Sequence, residues 1–308
     1  MRGDIRSLST FWALLLLGSL AWAGGKGGAN GAAFLKVGAG ARAAALGDAF
    51  TSVADDAYAT VWNPAGLARM ERPEIAGTHT QWIQSGRHDV LVGAYPTSVG
   101  TFGVSAVTLS FENIEKRTED TDTPDGTFRS LDAAYGLSYG HTLGNRLDVG
   151  AGVTYVRQTL DGVSAGAPTG TLGALWRTPI SFLTVGAAVR NIGGSITFVE
   201  EGDPLPMTAA LGATGRFMKK RLLLTVETRQ VQNEDIAYGA GVEVSPPLSK
   251  DAVGHLRAGY RSERQNTEDA SGITLGLGVG FPHWGFDLSW APYGVLGDTF
   301  RYAFRYQF

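Results

Sequence analysis

Chemistry in this chain has to come from scattered charges, because the usual reactive side chains are missing or dispersed. Cys is absent, which removes disulfides, thiolate metal ligands, a Cys nucleophile and a lipidated anchor. The five His, at 79, 88, 141, 255 and 283, lack metal-ligand spacing. Ser138 and His141 are close in sequence, but on an extended strand a spacing of three sends them to opposite faces. The pattern argues against an enzyme, a metal site or a bound cofactor. What remains is acids and bases at alternate positions. Glu227 and Arg229 lie opposite Leu222, Leu224 and Val226, while Arg257 and Arg261 lie opposite Leu256, Ala258 and Tyr260. Arg301 and Arg305 lie opposite the row Phe300, Tyr302, Phe304, Tyr306 and Phe308. Two roles are open for them. They can tie a wall to an inner segment, for example through Asp55 or Asp56, or they can steer a substrate carboxylate through charge-assisted hydrogen bonds.

The elements that carry these charges have a period of two. Leu131, Ala133, Tyr135, Leu137 and Tyr139 alternate with Asp132, Gly136, Ser138 and Gly140. Leu147 to Tyr155 and Ile273 to Phe281 repeat the pattern, which is that of strands. The polar side is rich in Gly, Ala and Ser, and the apolar side carries aromatics near strand ends (Trp284, Trp290, Phe308) where a membrane girdle would sit. A charge facing lipid at mid-depth costs about 2–4 kcal/mol for Arg, so the charged side is the inner one. Composition agrees. Gly numbers 43 of 308 residues, charged residues are only 18%, and the net charge of −3 gives no electrostatic footprint for nucleic acid.

Fourteen such units can be marked, near 77–84, 87–96, 101–112, 127–142, 146–159, 167–177, 183–192, 206–217, 221–231, 237–246, 254–262, 272–281, 284–291 and 299–308. An even count suits a transmembrane antiparallel β-barrel, which closes so that no backbone edge is left unpaired in hydrocarbon. The third (113–126), seventh (193–205) and eleventh (263–271) connections are long or polar, whereas the fourth, eighth and twelfth are tight. The tenth, around Pro246-Pro247-Leu248, is longer than strict alternation would have it. The acidic third connection suits either a cation or partner site or a solvated loop.

Residues 1–23 read as a signal peptide. Arg2 and Arg6 precede an apolar core from Phe11 to Leu20, and Ala21-Trp22-Ala23 is a small-x-small cleavage site. The expected organisation is therefore a signal over 1–23, an inner segment over 24–70 and a barrel over 71–308. The inner segment is dominated by small residues, with short helical stretches and a turn at Asn63-Pro64. Its Gly spacing at 38–47 lacks the preceding strand and following Gly-Lys-Ser/Thr of a nucleotide loop.

The runs Gly-Ala-Arg-Ala (40–43), Gly-Asp-Ala-Phe (47–50), Val-Ala-Asp-Asp-Ala (53–57) and Trp-Asn-Pro-Ala-Gly-Leu-Ala (62–68) resemble the N-terminal region of FadL-type outer-membrane transporters. They resemble the PorV/PorQ branch of that family more closely. The resemblance implies a fourteen-stranded barrel whose lumen is plugged by an N-terminal hatch, with Asn63, Pro64, Ala65 and Gly66 as the hatch motif. It implies that Phe308 is the C-terminal aromatic read by the barrel-assembly machinery, and that the protein resides in the cell outer membrane. It further implies handling of a hydrophobic small molecule, or of secreted protein cargo in type IX-like secretion. A non-transporting barrel that docks other surface proteins is the alternative.

Overall fold

A computed structural model describes residues 30–120, 122–262 and 271–308. The expected signal peptide, residues 24–29 of the expected hatch, and all but the last residue of the expected eleventh connection lie outside the described residues. The strands are β1 (Glu74–Gln81), β2 (Arg87–Thr97), β3 (Gly100–Lys116), β4 (Gly126–Leu143), β5 (Leu147–Leu160), β6 (Val163–Arg177), β7 (Leu183–Ile192), β8 (Ser195–Thr197), β9 (Gly202–Pro204), β10 (Thr208–Phe217), β11 (Leu222–Val231), β12 (Ile236–Val244), β13 (Val253–Arg261), β14 (Ile273–Gly280), β15 (Trp284–Pro292) and β16 (Asp298–Gln307). Fourteen of them form one closed antiparallel barrel, and β8 and β9 make a separate hairpin, so that β10 follows β7 in the wall. Closure is made by β1 against β16, from Glu74↔Gln307 to Gln81↔Phe300.

The alternation read from the sequence decides which way each side chain points. Leu91, Val104, Leu137, Val153, Leu172, Leu224, Leu256, Leu277 and Phe286 all point outward and are 45–64% exposed. An apolar belt of that extent has no place on a water-soluble monomer, and it is the lipid-facing surface of a membrane-spanning barrel. The end that holds Glu74 and Gln307 (the terminus end) carries aromatic pairs: Phe102–Tyr139 at 5.1 Å, Phe182–Phe217 at 4.9 Å, Phe281–Trp284 at 4.0 Å and Tyr306–Phe308 at 5.0 Å. Amphipathic rings collect at the level of lipid headgroups, so this row marks one membrane boundary.

Several boundaries differ from the sequence expectation. β1 begins three residues before the expected 77, because Trp82 to Gly86 form a turn in which Gln84 and Ser85 take positive φ. β3 and β4 run 17 and 18 residues and take 113–116 and 126 from the expected third connection. About 10 residues cross a bilayer, so the far ends of these strands stand clear of the lipid, paired through Lys116↔Gly126 across a bulge at Phe111/Ile114. The seventh connection holds the β8–β9 hairpin, fixed by the buried Ile196 and Leu205.

Inside the barrel the chain from Asn30 to Arg69 runs the full length of the lumen. Gly31 N–H donates to Pro204 O (3.0 Å) at the loop end, and Arg69 Nε reaches Asp148 Oδ2 (2.9 Å) near the terminus end. It folds as single turns at Ala33–Lys36, Ala41–Ala45, Ala59–Trp62 and Pro64–Arg69. Leu46, Phe50, Val53, Ala54, Ala57, Trp62 and Leu67 are buried and fill the lumen.

Glycine on the inner wall lets this segment lie flat against the strands. A Cβ at Gly150 would sit 2.2 Å from the Pro64 carbonyl carbon, and one at Gly173 would sit 1.9 Å from Asn63 Oδ1. Neither neighbour is a flexible side-chain tip, so the segment itself would have to move. Gly150→Ala should leave the barrel folded, as judged by a heat-modifiable gel shift. Trypsin should then cut after Arg42 or Arg69 at least about tenfold faster, which corresponds to roughly 1.4 kcal/mol of lost seating. An unchanged cutting rate in a folded variant would refute the close-approach argument.

Candidate functional site

The Asn63 turn is built from its own side chain. Asn63 is extended (φ −158°) and fully buried, and its Oδ1 accepts from Ala65 N (3.2 Å) to cap the Pro64–Arg69 turn, with Pro64 at the first helical position. Its Nδ2 donates to Thr51 O (2.8 Å), which links the two halves of the segment. Gly66 is held within the same turn, where a Cβ would meet Ala54 O at 2.2 Å, and Ala65 is buried.

The charges of wall and segment meet along one seam. Arg42 is its hub. Nε and Nη2 bind Glu243 Oε2 (2.9 Å) and Oε1 (3.1 Å), and Nη1 binds Asp55 Oδ1 (2.6 Å) and Asp56 Oδ2 (3.4 Å). Arg216 Nη2 takes the other Asp55 oxygen at 2.8 Å. Arg257 Nε donates to Glu243 Oε2 (2.6 Å), and its Nη1 donates to Asp287 Oδ1 (2.6 Å). The result is a continuous chain, Arg216–Asp55–Arg42–Glu243–Arg257–Asp287, which crosses from wall to inner segment and back. Gly278 makes room for its last pair, since a Cβ there would meet Asp287 Oδ1 at 2.2 Å.

A second group lies toward the loop end. Arg261 Nη1 pairs with Asp48 Oδ2, Arg229 Nη1 donates to Asp48 O (3.1 Å), and Glu227 Oε2 accepts from Thr51 N (2.8 Å). Glu227 and Arg229 also face each other at 3.4 Å. Arg301 donates to Gly38 O. Arg305 lies over Gly280 and Gly285 on the neighbouring strands, near the terminus end. Thus Glu227, Arg229, Arg261 and Arg301 touch the inner segment directly, and Arg257 reaches it through Glu243. Arg42, Asp48, Arg216, Glu243 and Asp287 were not singled out from sequence. The three wall members share the inward parity of Thr214, Gly241 and Gly285, and that parity was the available signal.

Phe308 lies at the terminus end, with its N–H on Pro73 O (3.0 Å) and its ring exposed beside Tyr306. The spelling Gly-x-Ser-x-Gly occurs at 136–140 and at 162–166. The first lies within β4 and the second runs from the turn at Gly162 into β6, with no helix following either, so neither makes a nucleophile elbow. Ser138 Oγ bonds Thr60 O (3.3 Å) inside, and His141 stacks on Tyr139 outside. Among the described residues no cluster of acids and His could hold a metal ion.

Two hollows adjoin the second group. A lumenal cavity of about 250 Å³ lies between the inner segment and the wall, lined by apolar side chains (Leu35, Val37, Trp62, Val107) and by charges of both signs (Arg190, Arg229, Arg261, Asp48, Glu234). The Arg190 guanidinium sits 4.8 Å from the Trp62 ring centroid. A groove of about 570 Å³ indents the lipid-facing surface over β6, β7, β10 and β11, and its floor includes Ala187, Ala188, Ala209 and Ala210. The two hollows share Arg229 in their linings. The wall between them carries a bulge at Gly170/Leu172, and Asn191 there takes a φ of 56°.

With this geometry established, similarity to known proteins can be stated. Residues 24–159 match a family model described as an uncharacterised protein family, UPF0164. No curated protein matches the sequence significantly. Among solved structures, the CymD monoaromatic hydrocarbon channel superposes with a TM-score of 0.62 at 14% identity, covering 88% of this chain and 98% of that one. The Pseudomonas putida toluene transporter TodX gives 0.55 at 10% identity, covering 81% and 92%. A Pseudomonas aeruginosa FadL homologue gives 0.55 at 14%, covering 82% and 94%. The fold is that of the FadL-type barrel.

The acids of the inner segment carry a pH dependence. Burial would raise Asp55, but Arg42 and Arg216 hold it below its usual range. Asp56 goes the other way. Burial, reinforced by Glu74 and Asp55, pushes it up to about 7 against the pull of Arg42 and Arg305. Seated, Asp56 keeps a proton that the released segment gives up near 3.8. Seating should therefore weaken as pH rises through that window and level off above about 7. Hydrogen-exchange protection of amides 55–62, corrected for intrinsic rates, should fall over that range and stay flat in Asp56→Asn. An equal decline in the variant would exclude Asp56 as the source. Asn63→Ala removes the cap and orphans Thr51 O, so it should lower protection of the same amides by about 1–3 kcal/mol.

Proposed function

We propose that the chain is an outer-membrane channel of FadL type that passes small, ring-sized hydrophobic molecules between the lumenal cavity and the bilayer. In this reading residues 24–70 are the hatch, Asn63, Pro64, Ala65 and Gly66 seat it, and Phe308 marks the chain for barrel assembly. The observation that carries the proposal is the pair of hollows, one inside and one on the lipid face, which share Arg229 and lie against the two faces of the same bulged strands. Size points to the substrate class. A dry cavity of about 150 Å³ accepts benzene, so about 250 Å³ suits a single ring with a substituent, not an extended long acyl chain. Leu35, Val37 and Val107 would contact the ring, and the polar side chains of the lining would take a polar substituent. The names of TodX and CymD, a toluene transporter and a monoaromatic hydrocarbon channel, are in keeping with that class.

Membership of the PorV/PorQ branch, and a part in type IX-like secretion, remain a second form of the proposal, resting on the motif at 62–68. Folded cargo could not enter a lumen this full, so such a role would use the outer loops. One experiment separates the two forms. Ala187 and Ala209 point outward into the groove, and Trp at both would fill it without touching the hatch. Uptake of a monoaromatic probe into proteoliposomes should fall severalfold while the barrel stays folded. Unaltered uptake would reject passage through this wall.

A further inference from the structure

Six polar atoms without partners lie in one row on the inner wall. They are His88 Nδ1 and Nε2, Thr80 Oγ1, Arg301 Nε and Nη2, and Ser289 Oγ. Register makes the row continuous. Thr80 is paired with His88 on β2 and with Arg301 on β16, and Arg301 is paired with Ser289 on β15. All four face inward, and none is more than 1% exposed. Arg301 makes one hydrogen bond, to Gly38 O, and among the described residues no carboxylate lies within ion-pair distance of it. A lone buried guanidinium is costly, and buried polar groups left open are rare in native proteins.

The donor inventory shows what is missing. Arg301 offers three open N–H groups at Nε and Nη2, a neutral His88 offers one, and the two hydroxyls can each offer one more. The acceptors in the row are a single imidazole nitrogen and the hydroxyl oxygens. The surplus is of donors and of positive charge, which an acceptor carrying negative charge would balance. The site is closed, and neither Arg301, His88, Thr80 nor Ser289 lines the lumenal cavity or the lipid-facing groove. A ligand in those hollows does not reach the row, so the missing group is small.

We propose that this row binds one small inorganic monovalent anion of the halide class, held chiefly by Arg301 with the hydroxyls of Thr80 and Ser289 beside it. Because Arg301 also holds Gly38 O, the anion completes a contact that locks the start of the hatch to the closing strands β1 and β16. The site is independent of the channel reading above. It holds whether or not the protein transports anything.

The test uses the full barrel in detergent, at constant ionic strength, with bromide exchanged for gluconate, which is too bulky for the row. Hatch protection from trypsin should rise with bromide and saturate. Thr80→Val and Ser289→Ala should each shift the midpoint of that response roughly tenfold upward while preserving the barrel. Arg301→Met should abolish the response. Crystals grown in bromide should show anomalous density beside the Arg301 guanidinium. Water alone in the row together with a response flat in bromide would overturn the proposal. So would an organic carboxylate found there, or a bromide effect undiminished in Thr80→Val and Ser289→Ala.

Discussion

The seam between hatch and wall exists because charges inside a membrane barrel have nowhere else to go. The outer face is committed to lipid, so every Arg, Asp and Glu on the strands is turned inward or placed at the ends. The lumen in turn is filled by the hatch, which leaves little water to solvate them. Most inward charges then find a counter-charge, either on the hatch or on a nearby strand, and Arg301 is an exception. Arg42 satisfies Asp55, Asp56 and Glu243 at once, and Glu243 is shared with Arg257. Buried ion pairs add little net stability over apolar packing, but breaking one costs about 3–5 kcal/mol. The chain of pairs therefore acts as a key, fixing one seating of a segment whose own secondary structure amounts to four single turns.

The seam is not uniform along the barrel axis. The long ionic chain through Arg216, Glu243 and Asp287 belongs to the terminus half of the lumen, with the Asn63–Arg69 turn packed on Gly140, Gly150 and Gly173 beside it. Toward the loop end the contacts are separate ones instead, Arg261–Asp48, Lys36–Glu234 and single hydrogen bonds at Asn30, Gly31 and Ala32, and the cavity lies among them. The hatch is thus held by one linked ionic chain at one end and by isolated contacts at the other.

The number of strands and the facing of nearly every strand residue were legible, because period two survives in a wall that is lipid on one side and packed on the other. Legibility failed where that contrast ends. The far ends of β3 and β4, at 113–116 and 126, are wetted and read as part of a polar loop, and the short β8–β9 hairpin has too few residues to show a period. The bend at Gln84 and Ser85 needs left-handed backbone from residues that do not advertise it. Inward charges on strands could be named, as Arg257 and Arg301 were. The groups they meet on the inner segment could not, since Asp48, which pairs with Arg261, and Arg42, which pairs with Glu243, sit in chain whose facing no strand period encodes.

The same contrast explains how a fold can persist at 10–14% identity. Closure needs only backbone pairing, lipid exposure needs only apolar bulk outside, and hatch seating needs only small residues where backbone meets wall. None of these conditions fixes a particular side chain. The residues free to specify a ligand are those the conditions leave over: the lining of the cavity, where Trp62 lies under Arg190, and the floor of the outer groove. Such a barrel can therefore vary at a handful of positions around the cavity and the groove without changing anything that makes it fold.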